Sequence, residues 1–97
     1  MKLDLTDAAL EDLREIREYT LRNWGERQEN LYLEAMWARF AEILNDPSRF
    51  RPREDLFPGC KVAAQEKHII LFRVESDVLQ IIRVLHSAMD INRHSTE

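Results

Sequence analysis

Little in this chain suggests covalent bracing, a membrane or a polyanionic partner. Its single cysteine, Cys60, has no second thiol with which to form an intramolecular disulfide or build a zinc cluster, so a reducing compartment fits and no metal is expected. No apolar run approaches the length that spans a bilayer. The opening Met-Lys-Leu-Asp-Leu-Thr-Asp-Ala gains acids at once and lacks the apolar stretch of a signal peptide, which points to the cytoplasm. Basic residues are in the minority: 14 Lys and Arg against 18 Asp and Glu leave a formal charge of -4, which disfavours a general or sequence-specific nucleic-acid binder. Internal repeats and low-complexity segments are missing, and 97 residues leave no room for a second core, so a single domain over 1–97 is expected.

What is present is the composition of a folded domain, 44% hydrophobic and 33% charged. A disordered chain would have too few apolar groups to offset the entropy of ordering. A domain this small is marginal alone, and a stabilising partner is a reasonable expectation. The acidic average hides an asymmetry. Residues 1–45 carry ten acids and six bases, whereas residues 46–97 carry eight of each. A local positive patch is therefore compatible with the overall charge.

Lys2-Leu3-Asp4-Leu5 alternates polar and apolar, the mark of a short strand. Thr6 follows as an N-cap, with Asp7 placed to favour the helix dipole. Ala9, Leu13, Ile16, Thr20 and Trp24 then fall on one helical face, and Arg14, Glu18 and Arg22 step along the solvent side. Asn23-Trp24-Gly25 supplies the stop. A second helix is predicted from about Glu26 to Leu44, with Tyr32, Met36, Phe40 and Ile43 as its stripe and Leu33, Trp37 and Leu44 widening it. Asn45-Asp46-Pro47 ends it, because proline disfavours helix in the residue before it. Two such helices joined through Gly25 make an antiparallel hairpin.

Ser48 to Gly59 reads as a loop, tacked to the body by Phe50, Leu56 and Phe57. The period then changes. Lys61–Glu66, His68–Val74 and Val78–His86 are strand-like, and Glu75-Ser76-Asp77 is a hairpin-length connection. The unbroken Ile69-Ile70-Leu71-Phe72 predicts a central strand. The order β-α-α-β-β-β gives an α+β fold, a two-helix antiparallel hairpin packed on one face of a mostly antiparallel sheet.

Several residues stand out as candidates. Leu31, Ala35 and Ala38 lie opposite the Met36–Phe40 stripe, so the second helix is apolar on more than one side and suits a partner helix as well as a packed hairpin. Arg49, Arg51 and Arg53 alternate along the loop, where they suit an acidic peptide or a phosphate, although a solvated loop is the commoner meaning of such a run. Cys60 reads as a small buried hydrophobe. Residues 87–97 have little periodicity, and a segment untied to the core is a natural place for a target contact.

Three stretches together resemble the ParE branch of the RelE/ParE toxin superfamily. Ala-Leu-Glu-Asp-Leu-Arg-Glu-Ile-Arg-Glu-Tyr over 9–19 is similar to the family's opening helix, and Leu56-Phe57-Pro58-Gly59 resembles its Leu-x-Pro-Gly entry into the sheet. The sharpest likeness is His68-Ile-Ile-Leu-Phe-Arg-Val74 with Arg83-Val-Leu-His86 leading to Met89-Asp90 and Arg93-His94. The chain departs at Pro47-Ser48-Arg49-Phe50-Arg51, where many relatives carry a compact Pro-x-x-Gly-Arg. The resemblance implies a RelE/ParE-like fold, a toxin that poisons DNA gyrase by contact, and neutralisation by a co-expressed ParD-like antitoxin; no cofactor is implied. On that reading Met89, Asp90, Ile91 and Arg93 are expected to meet the target with Arg83 and His86 in support. Leu10, Leu31 and Trp37, with Arg49, Arg51 and Arg53, are expected to meet the antitoxin.

Two alternatives stand beside it. A RelE-like ribosome-dependent endonuclease needs a base, an acid and cations for the phosphate, for which Arg83 and His86 are the candidates. Phe72 is the last Phe, Tyr or Trp of the chain, so the late tyrosine of such nucleases is missing, and Ser87 and Ala88 stand where they tend to carry a basic group. The other alternative is a non-toxic relative that only binds its antitoxin.

Overall fold

A computed structural model describes residues 1–88. Its elements run β1 (Lys2–Leu5), α1 (Asp7–Trp24), α2 (Glu26–Asn45), a single 3-10 turn (Pro47–Arg49), β2 (Arg51–Pro52), β3 (Lys61–Gln65), β4 (His68–Glu75) and β5 (Val78–His86). The five strands form one sheet in the order β1-β5-β4-β3-β2, antiparallel except for the parallel β1–β5 pair. β4 is central, as its apolar run predicted. The addition is β2, inside a stretch expected to be loop. Two residues are too few to show alternation, and Pro52, which has no N–H to give a ladder, is confined to an edge.

The helical hairpin covers one face. Ala9, Leu13 and Ile16 of α1 and Met36, Phe40 and Ile43 of α2 close over Ala63, Ile70, Phe72, Leu79, Ile81 and Val84 of the sheet. The loop after β2 covers the other face with Leu56, Cys60 and Phe57 against Val62, Ile69, Leu71 and Leu85. Cys60 is fully buried, and its burial pushes the thiol up to about 11. Phe50 joins the helix side instead, meeting Phe72 edge-on. Trp24 does not complete the α1 stripe. It is 65% exposed, because the helix ends at that residue and Gly25 turns the chain at φ 92° before the last turn can pack. Trp37 likewise lies outside the core, 45% exposed, its ring meeting Phe40 edge-on.

A bulge in β5 organises the junction of β1 with α1. Leu71 pairs with Arg83 and Phe72 with Ile81, which leaves Ile82 as the extra residue. Leu79 and Ile81 before the bulge and Val84 after it can therefore all face the helices despite their spacing. Thr6 holds the bulge in place. Its N–H donates to the Ile81 carbonyl (3.1 Å), its hydroxyl donates to the Ile82 carbonyl (2.7 Å), and the same oxygen accepts from Ala9 N–H (3.0 Å). One side chain caps the helix and ties its start to the sheet. At the other end of β5, Ser76 and Asp77 both adopt positive φ (53° and 61°), the twist a two-residue hairpin turn requires.

Candidate functional site

β1 pairs with β5 only as far as Ile81, so residues 82–86 form an open sheet edge. Val84 points its N–H outward there, and Asp12 of α1 takes it at 2.9 Å. The same carboxylate accepts two bonds from the Arg83 guanidinium, 2.7 Å from Nε and 2.9 Å from Nη2. Asp12 is only 8% exposed, so these three charge-assisted bonds answer the cost of burying it. Arg83, expected among the target contacts, thus has its charge engaged within the fold. Asp12 escaped the sequence reading, but its signal was there: it falls between Ala9 and Ile16 on the buried stripe, an acid among apolar residues.

The opposite edge is closed in the same way. β2 pairs with β3 only at Lys61 and Val62, and beyond it Arg39 of α2 donates its Nε to the Ala64 carbonyl at 3.0 Å. Each helix thus sends a charged side chain to the sheet edge where the covering strand has run out, which blunts strand-to-strand aggregation.

Beside the β5 edge lies a groove of about 780 Å³, open to solvent and floored by His68, His86 and Val84, with Tyr19, Trp24 and Tyr32 on its helical walls. His68 and His86 are directly cross-strand, their ring centroids 5.4 Å apart. The Tyr32 hydroxyl stands against His68 Nδ1 and 3.3 Å from the Gln65 carbonyl. Desolvation, reinforced by the neighbouring His86 ring, lowers His68 to about 4. Desolvation and then the Glu66 carboxylate raise the Tyr32 phenol to about 12. His86 is exposed, and its Nδ1 accepts the Ala88 N–H at 3.0 Å. A histidine this weakly basic is a poor base at neutral pH, and a phenol this high is a poor acid. Among the described residues no group of three or more His, Cys, Asp or Glu side chains is placed to hold a metal ion.

The outer faces of the helices carry the other expected contacts. Leu10 and Leu31 are about half exposed, at 51% and 49%. Trp37 borders a shallow hollow with Leu33 and the Arg17–Glu29 ion pair (2.8 Å), which ties α1 to α2. The arginine run divides. Arg53 is held by Asp55 through two bonds of 2.9 Å and pairs its N–H with the Cys60 carbonyl, so it serves the loop. Arg51 stands exposed on β2, and Arg49 lies over the Phe50 ring. Met89, Asp90, Ile91 and Arg93 lie outside the described residues.

Comparison with known proteins gives a consistent result. Residues 3–91 match the family model described as the ParE toxin of the type II toxin-antitoxin system parDE. Toxin ParE1 of Caulobacter vibrioides is 33% identical over 90 residues, covering 93% of each chain. Toxin ParE of Escherichia coli is 33% identical over 89 residues, covering 90% of this chain and 85% of its own. In fold, the chain is similar to a solved structure described as the "Chromosomal ParDE TA system from P. aeruginosa", with a TM-score of 0.78 at 20% identity, covering 89% of this chain and 95% of that one.

Proposed function

We propose that this chain, which belongs to the ParE toxin family of type II toxin-antitoxin systems, acts by binding DNA gyrase without chemistry of its own and is silenced by a ParD-like antitoxin in the cytoplasm. The observation that carries this reading is the contrast between the two kinds of surface. His68 and Tyr32, at the centre of the groove, are shifted away from proton exchange near neutral pH, whereas Leu10, Tyr19, Trp24, Leu31 and Trp37 hold large apolar surfaces in solvent on the helices. Exposed aromatic and aliphatic anchors on a small domain are the raw material of protein–protein contact. The similarity in fold to a chain of the P. aeruginosa ParDE system supports an antitoxin partner here.

The proposed division of labour assigns Leu10, Leu31, Trp37 and the exposed arginines Arg49 and Arg51 to the antitoxin. Arg53, held by Asp55, plays a lesser part. The target contacts are assigned to Met89, Asp90, Ile91 and Arg93, with His86 and Arg83 at the root of that segment. Removing residues 90–97 is expected to weaken growth inhibition while the antitoxin complex still forms. Equal loss of both would refute the division.

A second reading, RNA cleavage, is favoured only by the cross-strand His68–His86 pair. It predicts cut messenger RNA on ribosomes, abolished by Arg83 and His86 substitutions.

A further inference from the structure

Phe50 gathers cations from three elements. The guanidinium of Arg39, from α2, lies 5.1 Å from its ring centroid, and that of Arg49, from the 3-10 turn, lies 5.6 Å from it. Lys61 of β3 reaches the Phe50 carbonyl with Nζ at 3.4 Å, and Arg51 follows next in the chain on β2, paired with Val62 beside Lys61. The ring itself is fixed edge-on against buried Phe72. Stacking on a fixed ring holds a guanidinium flat and leaves its rim open to a carboxylate. Arg39 spends part of its rim on Glu42 (3.3 Å) and on the Ala64 carbonyl. Among the described residues, no carboxylate forms an ion pair with Arg49, Arg51 or Lys61. A chain of formal charge -4 therefore concentrates unanswered positive charge at the outer edge of its sheet, far along the strand order from the groove at β5.

From this we infer that the Phe50 cluster is a docking site for an acidic peptide segment of the antitoxin, an inference that rests on the toxin–antitoxin reading above. Nucleic acid offers the same negative charge, but a polyanion extends beyond the patch and meets the acidic surface of the remaining chain. A short acidic segment places its carboxylates only where the cations are. Arg49, Arg51 and Lys61 supply the charge, and Arg39 and Phe50 position Arg49.

The test measures binding of the full chain to the antitoxin encoded beside it, at low and high salt. It compares the native protein with a variant carrying Arg49→Gln, Arg51→Gln and Lys61→Gln. A short alternating Glu-Ala peptide and a short oligothymidylate are measured in parallel. The variant is expected to melt like the native protein and to bind the antitoxin about tenfold more weakly at low salt. It is also expected to lose most of the salt dependence and to release the peptide, while Arg49→Lys with Arg51→Lys keeps the salt dependence and loses part of the affinity, because an ammonium cannot stack flat on Phe50. Unchanged antitoxin affinity and salt dependence in the variant would overturn the inference and leave the toxin–antitoxin reading intact. Tighter binding of oligothymidylate than of peptide would overturn it in favour of a nucleic-acid surface. Failure of the native chain to bind the antitoxin at any salt would remove the reading itself, and the inference with it.

Discussion

Asp12 and Arg83, 71 residues apart in sequence, meet in a two-pronged ion pair of 2.7 and 2.9 Å that joins the first helix to the last strand. The pair does more than connect two elements, because Asp12 also closes the β5 edge through Val84 N–H.

Removing Asp12 should therefore be costly in two ways. Asp12→Ala leaves the Arg83 guanidinium without its carboxylate and Val84 with an unanswered donor. The expected loss is about 3 kcal/mol of unfolding free energy. Asp12→Asn, which keeps an acceptor for Val84, should lose less. Urea denaturation checks both, and an Asp12→Ala loss below about 1 kcal/mol would show that the pair is peripheral.

Acid should act on the groove before it acts on most carboxylates. His68 is lowered to about 4 in the folded protein from an ordinary 6.5, so between those values the unfolded chain binds the additional proton. Stability should accordingly fall as pH drops from about 6.5 toward 4, and this contribution should level off below 4. The loss should be on the order of 2 kcal/mol, less than the full shift implies because the groove admits water. His68→Gln should flatten the slope over that window. An unchanged slope in the variant would assign the acid sensitivity to other groups.

The helix anchors should separate binding from folding. Trp37→Ser and Leu31→Ser remove exposed apolar area, so each should change stability by less than about 1 kcal/mol. Each should nonetheless weaken antitoxin binding tenfold or more, the behaviour of an interface anchor. Calorimetric titration beside thermal melts distinguishes this from a general loss of structure.

How much of this was legible follows from how each feature is encoded. Thr6 announced itself as a cap because one residue type at one position suffices, and Ile69–Phe72 announced a central strand because both faces are apolar. The β5 bulge was hidden, since Ile81 and Ile82 look alike in sequence and only the pairing with Leu71 and Phe72 shows which one is extra. Asp12 was legible in principle as an acid on an apolar stripe, but its partner lay 71 residues away. Proximity in space also sorted the arginines, keeping Arg53 for Asp55 and bringing Arg39 and Lys61 to Phe50. Trp24 misled because periodicity does not say where a helix face stops being covered.

Inhibition of gyrase by contact alone is open to direct titration. Purified, antitoxin-free protein should be titrated into a gyrase supercoiling reaction, with a ribosomal messenger RNA cleavage assay run beside it. Supercoiling is expected to cease as the protein reaches the enzyme's concentration, with the RNA left whole. Undisturbed supercoiling together with cut RNA would instead identify a ribonuclease.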